Sequence, residues 1–211
     1  MTVTTTCLLL VFGAYALGNW WAVEVGNQRL EWLCKPAALV ALTGAAMALR
    51  PDEFEVKVVF VIGLLLSLAG DVFLMLPSDR FLPGLISFFL AHVAYVVGFA
   101  IADPEPVLLL VGVLVVAAGM VFVGRPLVAR VRSGDQSDMA VPVMAYMAVI
   151  SLMVVFAIGN GNPFGIAGAL LFYASDATLG WNRFVEPTSH GRLAVMATYH
   201  LGQLGLVLFL I

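Results

Sequence analysis

Apolar residues run along the chain in blocks of about 20, the length a helix needs to cross a bilayer core. Eight such blocks can be cut, at residues 3–23, 33–49, 58–76, 81–102, 107–124, 139–159, 164–182 and 193–211, each bounded by charges, proline or Gly/Asn. Most connections are short, such as 77–80 and 103–106; the longest, 125–138, is polar and basic and is expected to be a loop. No segment remains for a soluble domain, so the pattern predicts an all-α polytopic membrane bundle of eight transmembrane helices in one domain, residues 1–211. The first block has no basic n-region and no A-x-A-like site, and is expected to be a retained helix and not a signal peptide.

Composition narrows the class. Of 211 residues, 62% are hydrophobic and 11% charged, where a soluble domain is nearer half apolar and a quarter charged. A water-soluble globule, a disordered chain and a coiled coil are excluded. Ten Lys+Arg against thirteen Asp+Glu give no basic field for nucleic acid.

Orientation follows from the Lys/Arg asymmetry between loops. Eight spans place both termini on one side, whose loops carry Arg50 and Lys57; the opposite loops carry Arg29, Arg80, Arg125, Arg130, Arg132, Arg183 and Arg192. Seven against two predicts those seven on the cytoplasmic side of the cell membrane, with N and C termini outside. Cys7 and Cys34 then fall near opposite faces, too far apart for a disulfide.

All the charged residues lie in loops or at span ends except Lys35, Asp71 and Asp176. A charge at the centre of a span costs about 2.5–3.5 kcal/mol by insertion measurements, so such residues face a cavity and act there. For Lys35 the plainer alternative is snorkelling to the interface. Given the directions of the spans, Lys35, Asp71, Tyr146, Asp176, Tyr199, His200 and Gln203 all fall in the cytoplasmic half, with His92 and Tyr95 near the middle of span four. His92/Tyr95 and His200/Gln203 are i, i+3 pairs on one helix face. Intramembrane Tyr, Gln and His also simply bond neighbouring helices; the two aspartates at equal depth carry the functional reading. One polar cavity open toward the cytoplasmic leaflet is expected.

The chain also echoes itself. Residues 65–74, with Asp71, resemble 170–179, with Asp176, at an offset of 105; Arg80-Phe81 answers Arg183-Phe184, and Lys35-Pro36 aligns with Val141-Pro142. Four spans of offset preserve direction, which predicts a parallel 4+4 internal repeat with the aspartates across a pseudo-twofold axis. Such repeats occur in carriers, so the echo does not separate enzyme from transporter.

No G-x-S-x-G, phosphate loop, C-x-x-C or H-E-x-x-H is present. What remains is two carboxylates with His and Tyr partners, a set suited to general acid–base catalysis with one carboxyl protonated and one ionised. Asp71, Asp176, His92 and His200 as a metal site is the alternative on the same residues.

The blocks Gly70-Asp71-Val72-Phe73-Leu74-Met75-Leu76-Pro77, Phe89-Leu90-Ala91-His92-Val93-Ala94-Tyr95 and Gly168-Ala169-Leu170-Leu171-Phe172-Tyr173-Ala174-Ser175-Asp176, with Asn182-Arg183-Phe184, resemble the YhhN family of eight-span membrane proteins, which includes animal lysoplasmalogenases. Lys35-Pro36, Pro142 with Tyr146, and Tyr199 with Gln203 fit the same pattern. The resemblance implies hydrolysis of the sn-1 vinyl ether of a lysoplasmalogen, a lysophospholipid of the bilayer, to a fatty aldehyde and a glycerophospho-base, with no cofactor and no metal. It implies Asp71 and Asp176 as catalytic carboxyls and Lys35, His92, Tyr95, Tyr146, Ser175, Asn182, Arg183, Tyr199, His200 and Gln203 as groups orienting water and substrate, Lys35 and Arg183 toward the phosphate. A hydrolase of another lysophospholipid or ether lipid, and a proton-coupled carrier of lipid or small solute, are the alternatives.

Overall fold

A computed structural model describes residues 1–51, 53–78 and 80–211. Among them the elements are all helical: α1 (Val3–Glu24), α2 (Gln28–Ala48), α3 (Phe54–Met75), α4 (Phe81–Ile101), α5 (Pro106–Gly119), α6 (Arg125–Ser133), α7 (Ala140–Gly159), α8 (Pro163–Phe184) and α9 (Gly191–Leu208). Local chemistry sets several starts. The side chains of Thr2, Asn27 and Asn162 accept from the first-turn amides of α1, α2 and α8, and Pro163 stands at the first position of α8. The Asn27 cap starts α2 at Gln28, ahead of its apolar block, because Arg29 and Glu31 sit in its first turn at the end of the bundle.

Six helical stretches among the described residues are long and apolar enough to cross a membrane: α1 to α4, the rod Pro106–Ser133 and the stretch Ser137–Gly159. The helices α8 and α9 fall outside that set because they carry Asp176, Asn182, Arg183, Arg192, Tyr199, His200 and Gln203.

The expected loop at 125–138 is helix over Arg125–Ser133 instead. One π-helical turn, Met120–Gly124, joins α5 to α6 and rotates the face presented to the bundle. Leu127 and Val131, four apart, are thereby buried against Ala140, Val143 and Met147, while Arg125, Arg130 and Arg132 point outward. The arginines masked an amphipathic helix.

Successive helices pack as hairpins α1/α2, α3/α4 and α8/α9; α5 lies on α7, and α7 packs on α4 and α8. Lipid offers no hydrophobic drive for this, so close backbone approach has to supply it. At α8/α9 the approach is through glycine: a Cβ on Gly168 would stand 2.6 Å from Leu206 N, and one on Gly205 2.6 Å from Gly168 Cα. Asp176 of α8 and Tyr199 of α9 line the same cavity. Ser175 Oγ, next along, donates to the Val195 carbonyl at 3.0 Å and fixes the register. Toward the remote end Phe60, Phe99 and Phe209 pack ring against ring with centroids 4.8–5.4 Å apart, one pair edge to face, one stacked and one tilted.

Candidate active site

At the other end a cavity of ≈ 270 Å³ opens between the start of α2, the ends of α3 and α8 and the start of α9. Gln28, Glu31, Asn182 and Arg192 stand at its mouth, and Lys35, Asp71, Asp176 and Tyr199 line it deeper in. At about 1.5 Å of rise per residue, Lys35 lies about 10 Å along α2 from Gln28. Pro36, the next residue, has no amide hydrogen and so leaves the Trp32 carbonyl without its usual helical partner.

Asp71 is 1% exposed, and both its oxygens receive donors. Lys35 Nζ lies 3.1 Å from Oδ1, and Tyr199 donates its hydroxyl to Oδ2 at 2.7 Å. Lys35 is itself 5% exposed and held by that aspartate, so the snorkelling alternative does not apply.

Asp176 has a different setting. Tyr146 donates to its Oδ2 in a short hydrogen bond, and His92 Nε2 lies 3.8 Å from the same oxygen. His92 Nδ1 is 2.6 Å from the Phe88 carbonyl oxygen, which only accepts, so Nδ1 carries the hydrogen. In the neutral ring Nε2 is then a lone pair facing a carboxyl oxygen, with no partner of its own among the described residues. Asp71 thus lies between two donors, and Asp176 between one donor and an imidazole lone pair.

Behind these lies a second layer. Tyr95 donates to Gln203 Oε1 at 2.8 Å, both residues fully buried below the cavity. His200 Nδ1 accepts from Trp20 Nε1 at 2.9 Å in the wall toward α1 and is not among the residues lining the cavity. Ser175 lines it but spends its hydroxyl on Val195, and Asn182 accepts from the Thr188 amide and hydroxyl, bracing the α8–α9 connection. Arg183 lies over the Phe81 ring, 4.8 Å from its centroid, outside the lining. The proposed four-residue metal set does not converge: among the described residues there is no cluster of three or more His, Cys, Asp or Glu able to hold an ion.

Sequence reasoning missed the mouth. Arg192 Nη2 reaches both oxygens of Glu31, at 2.7 and 3.0 Å, spanning the entrance from α9 to α2. Both read as ordinary interfacial charges; the only signal was opposite sign at the starts of two helices entering from one side.

An all-helical bundle that buries a lysine–aspartate pair, with a second, part-buried carboxyl lining the same end-opening cavity, defines a polytopic membrane protein. The YhhN family model matches residues 30–210, and the chain belongs to that family. It is 31% identical to lysoplasmalogenase TMEM86B of Homo sapiens over 183 residues, 85% of this chain and 76% of the relative. Against lysoplasmalogenase TMEM86B of Sus scrofa it is 36% identical over 140 residues, 66% of this chain and 58% of the relative. An uncharacterized membrane protein YhhN of Escherichia coli O157:H7 is 31% identical over 97 residues, 44% of this chain and 46% of the relative. No solved structure matches.

Breaking a buried ion pair from one side costs about 3–5 kcal/mol, while neutralising both partners costs far less. Lys35→Met alone is expected to lower the melting temperature in detergent sharply, and Lys35→Met with Asp71→Asn to recover most of the loss. A double variant no more stable than Lys35→Met would contradict the pairing.

Proposed function

We propose that the chain is a membrane-embedded hydrolase that cleaves the sn-1 vinyl ether of lysoplasmalogens, releasing a fatty aldehyde and a glycerophospho-base. The observation that carries it is the unequal pair of carboxyls in one cavity, the buried Asp71 between two donors and the part-buried Asp176 facing a histidine lone pair. Family membership and relatives named lysoplasmalogenase give the reaction its substrate.

A vinyl ether hydrolyses by protonation at its β-carbon, which leaves an oxocarbenium ion. Asp176 gives that proton, with Tyr146 orienting it. Asp71, kept anionic by Lys35 and Tyr199, stands across the cavity as the charge that steadies the cation, the division of labour two carboxyls make in glycoside cleavage. Water adds to the cationic carbon, and its proton passes to Asp176, with His92 Nε2 as an acceptor on the way. The hemiacetal then breaks its bond to the glycerol oxygen, which takes a proton. The vinyl ether and one water leave as aldehyde and alcohol, and Asp176 is protonated again. At the mouth the Glu31–Arg192 pair matches a zwitterionic head group: ammonium to Glu31, phosphate to Arg192. Tyr95, Gln203 and His200 support the lining residues without meeting the substrate.

The carrier alternative is less well served. A carrier needs a route to each side, and the fully buried rings of Phe60 and Phe99, with Phe209 packed against them, stand in the bundle interior away from the cavity. The partner pattern also favours the parallel duplication. Asp71 on α3 takes partners from α2 and α9, and Asp176 on α8 takes them from α7 and α4, which correspond under an offset of four spans.

The basic loops all lie at the cavity end, so the positive-inside rule turns the cavity to the cytoplasm and both termini outward. With Cys7 and Cys34 replaced by Ala, a cysteine at Ser133 is expected to escape an impermeant maleimide in intact cells and one at Glu105 to react; the reverse pattern would invert this topology.

Purified protein is expected to release aldehyde from lysoplasmenylethanolamine, with Asp176→Asn and Asp71→Asn each slower by about 10²-fold or more. Either variant, folded and fully active, would sink the mechanism.

A further inference from the structure

A second and narrower pocket, ≈ 60 Å³, lies beside the polar cavity between α4, α6, α7 and α8. Its wall is almost entirely hydrocarbon, with Leu85, Leu127, Val143, Met147 and Phe184 around it. The two spaces adjoin: Leu74, Phe88, Asp176 and Leu179 line both. Lys35, Asp71 and Tyr199 line the polar one alone, whereas Tyr146 lines the apolar one. A single carboxyl thus stands on the seam between an apolar slot and a polar chamber.

We infer that the slot is the site for the substrate's one hydrocarbon chain, which enters it with the first carbons next to the ether and holds the scissile bond at Asp176. The inference rests on the hydrolase reading and adds to it where the molecule lies. An occupant of both spaces has to be apolar at one end and polar at the other, with its junction at the seam. A lysophospholipid meets that description; a small polar solute and a plain hydrocarbon each leave one space unmatched.

The placement agrees with the chemistry from an independent direction. In a vinyl ether the carbon that accepts the proton is the one on the chain side, and the carbon that becomes cationic is bonded to the glycerol oxygen. A chain in the slot puts the first against Asp176 and the second toward Asp71, the order that the hydrogen-bond partners of the two aspartates demand. The slot is too small for a whole fatty chain. Its outer rim, Phe81 and Phe184, is only half-buried, with the rings edge to face at 5.6 Å, and the remaining carbons leave there for the bilayer.

A second chain at sn-2 would lie among Lys35, Glu31 and Arg192, which line the polar chamber.

The test uses an uncleavable 1-alkyl lysophosphatidylethanolamine with a diazirine on a carbon near the glycerol, irradiated with the purified full chain, and the labelled peptides are mapped. Labels are expected at Leu127, Val143, Met147 or Phe184. Gly180, whose added Cβ would stand 3.0 Å from Leu127 Cδ2, points at the same wall, so Gly180→Leu is expected to cut labelling there about tenfold. Should that variant fail to fold, Val143→Phe serves in its place. Excess lysolipid is expected to compete, and a two-chain phospholipid not to. Labels confined to the lipid-facing α5 residues Leu110 and Leu114, indifferent to Gly180→Leu, would overturn the inference. The probe is not cleaved, so slot labelling with no aldehyde from lysoplasmenylethanolamine removes the hydrolase and keeps the slot, and the converse removes the slot alone.

Discussion

Putting a carboxylate inside a bilayer is the constraint around which this molecule is arranged. Asp71 is tolerated because a lysine one helix away and a tyrosine hydroxyl from the far end of the chain both donate to it. Each donor needs its own placement. Lys35 has to lie well below the start of α2, which the Asn27 cap allows, and Tyr199 has to face α3, which the glycine contact of α8 with α9 secures. Buried ion pairs contribute little net stability once desolvation is counted.

The second aspartate gains its character by contrast. It faces a histidine held in one tautomer by a backbone carbonyl and is bonded to a tyrosine, the setting from which the proposed mechanism takes its proton donor. Two carboxyls in one small cavity therefore stand in unequal settings. The polar cavity with the apolar slot at its side fits the amphiphile that the proposed reaction requires. In the bilayer such a molecule already lies with its polar end at the interface and its chain in the hydrocarbon.

Much of this was legible in the sequence, and the reasons differ by feature. The spans are written as blocks of hydrocarbon, and Lys35, Asp71 and Asp176 stood out because a membrane makes charge conspicuous. Segment 125–133 was misread because three arginines outweigh the Leu127/Val131 period that buries one face of α6. Partnership was the part that could not be read: nothing in the order of residues tells that Tyr199 serves Asp71 while Tyr146 serves Asp176. The same holds for His200, which matches His92 in kind and spacing yet is turned to Trp20. The Glu31–Arg192 pair was hidden among interfacial charges that look alike until the helix starts are brought side by side.

The central claim is that a fixed carboxyl delivers a proton to one face of the vinyl ether. The direct measurement is hydrolysis of lysoplasmenylethanolamine by purified protein in deuterium oxide, with the aldehyde trapped at once by reduction and its second carbon analysed. A single deuterium in one stereochemical configuration is predicted, because Asp176 approaches from one side. Racemic deuterium, or none at that carbon, would contradict the account.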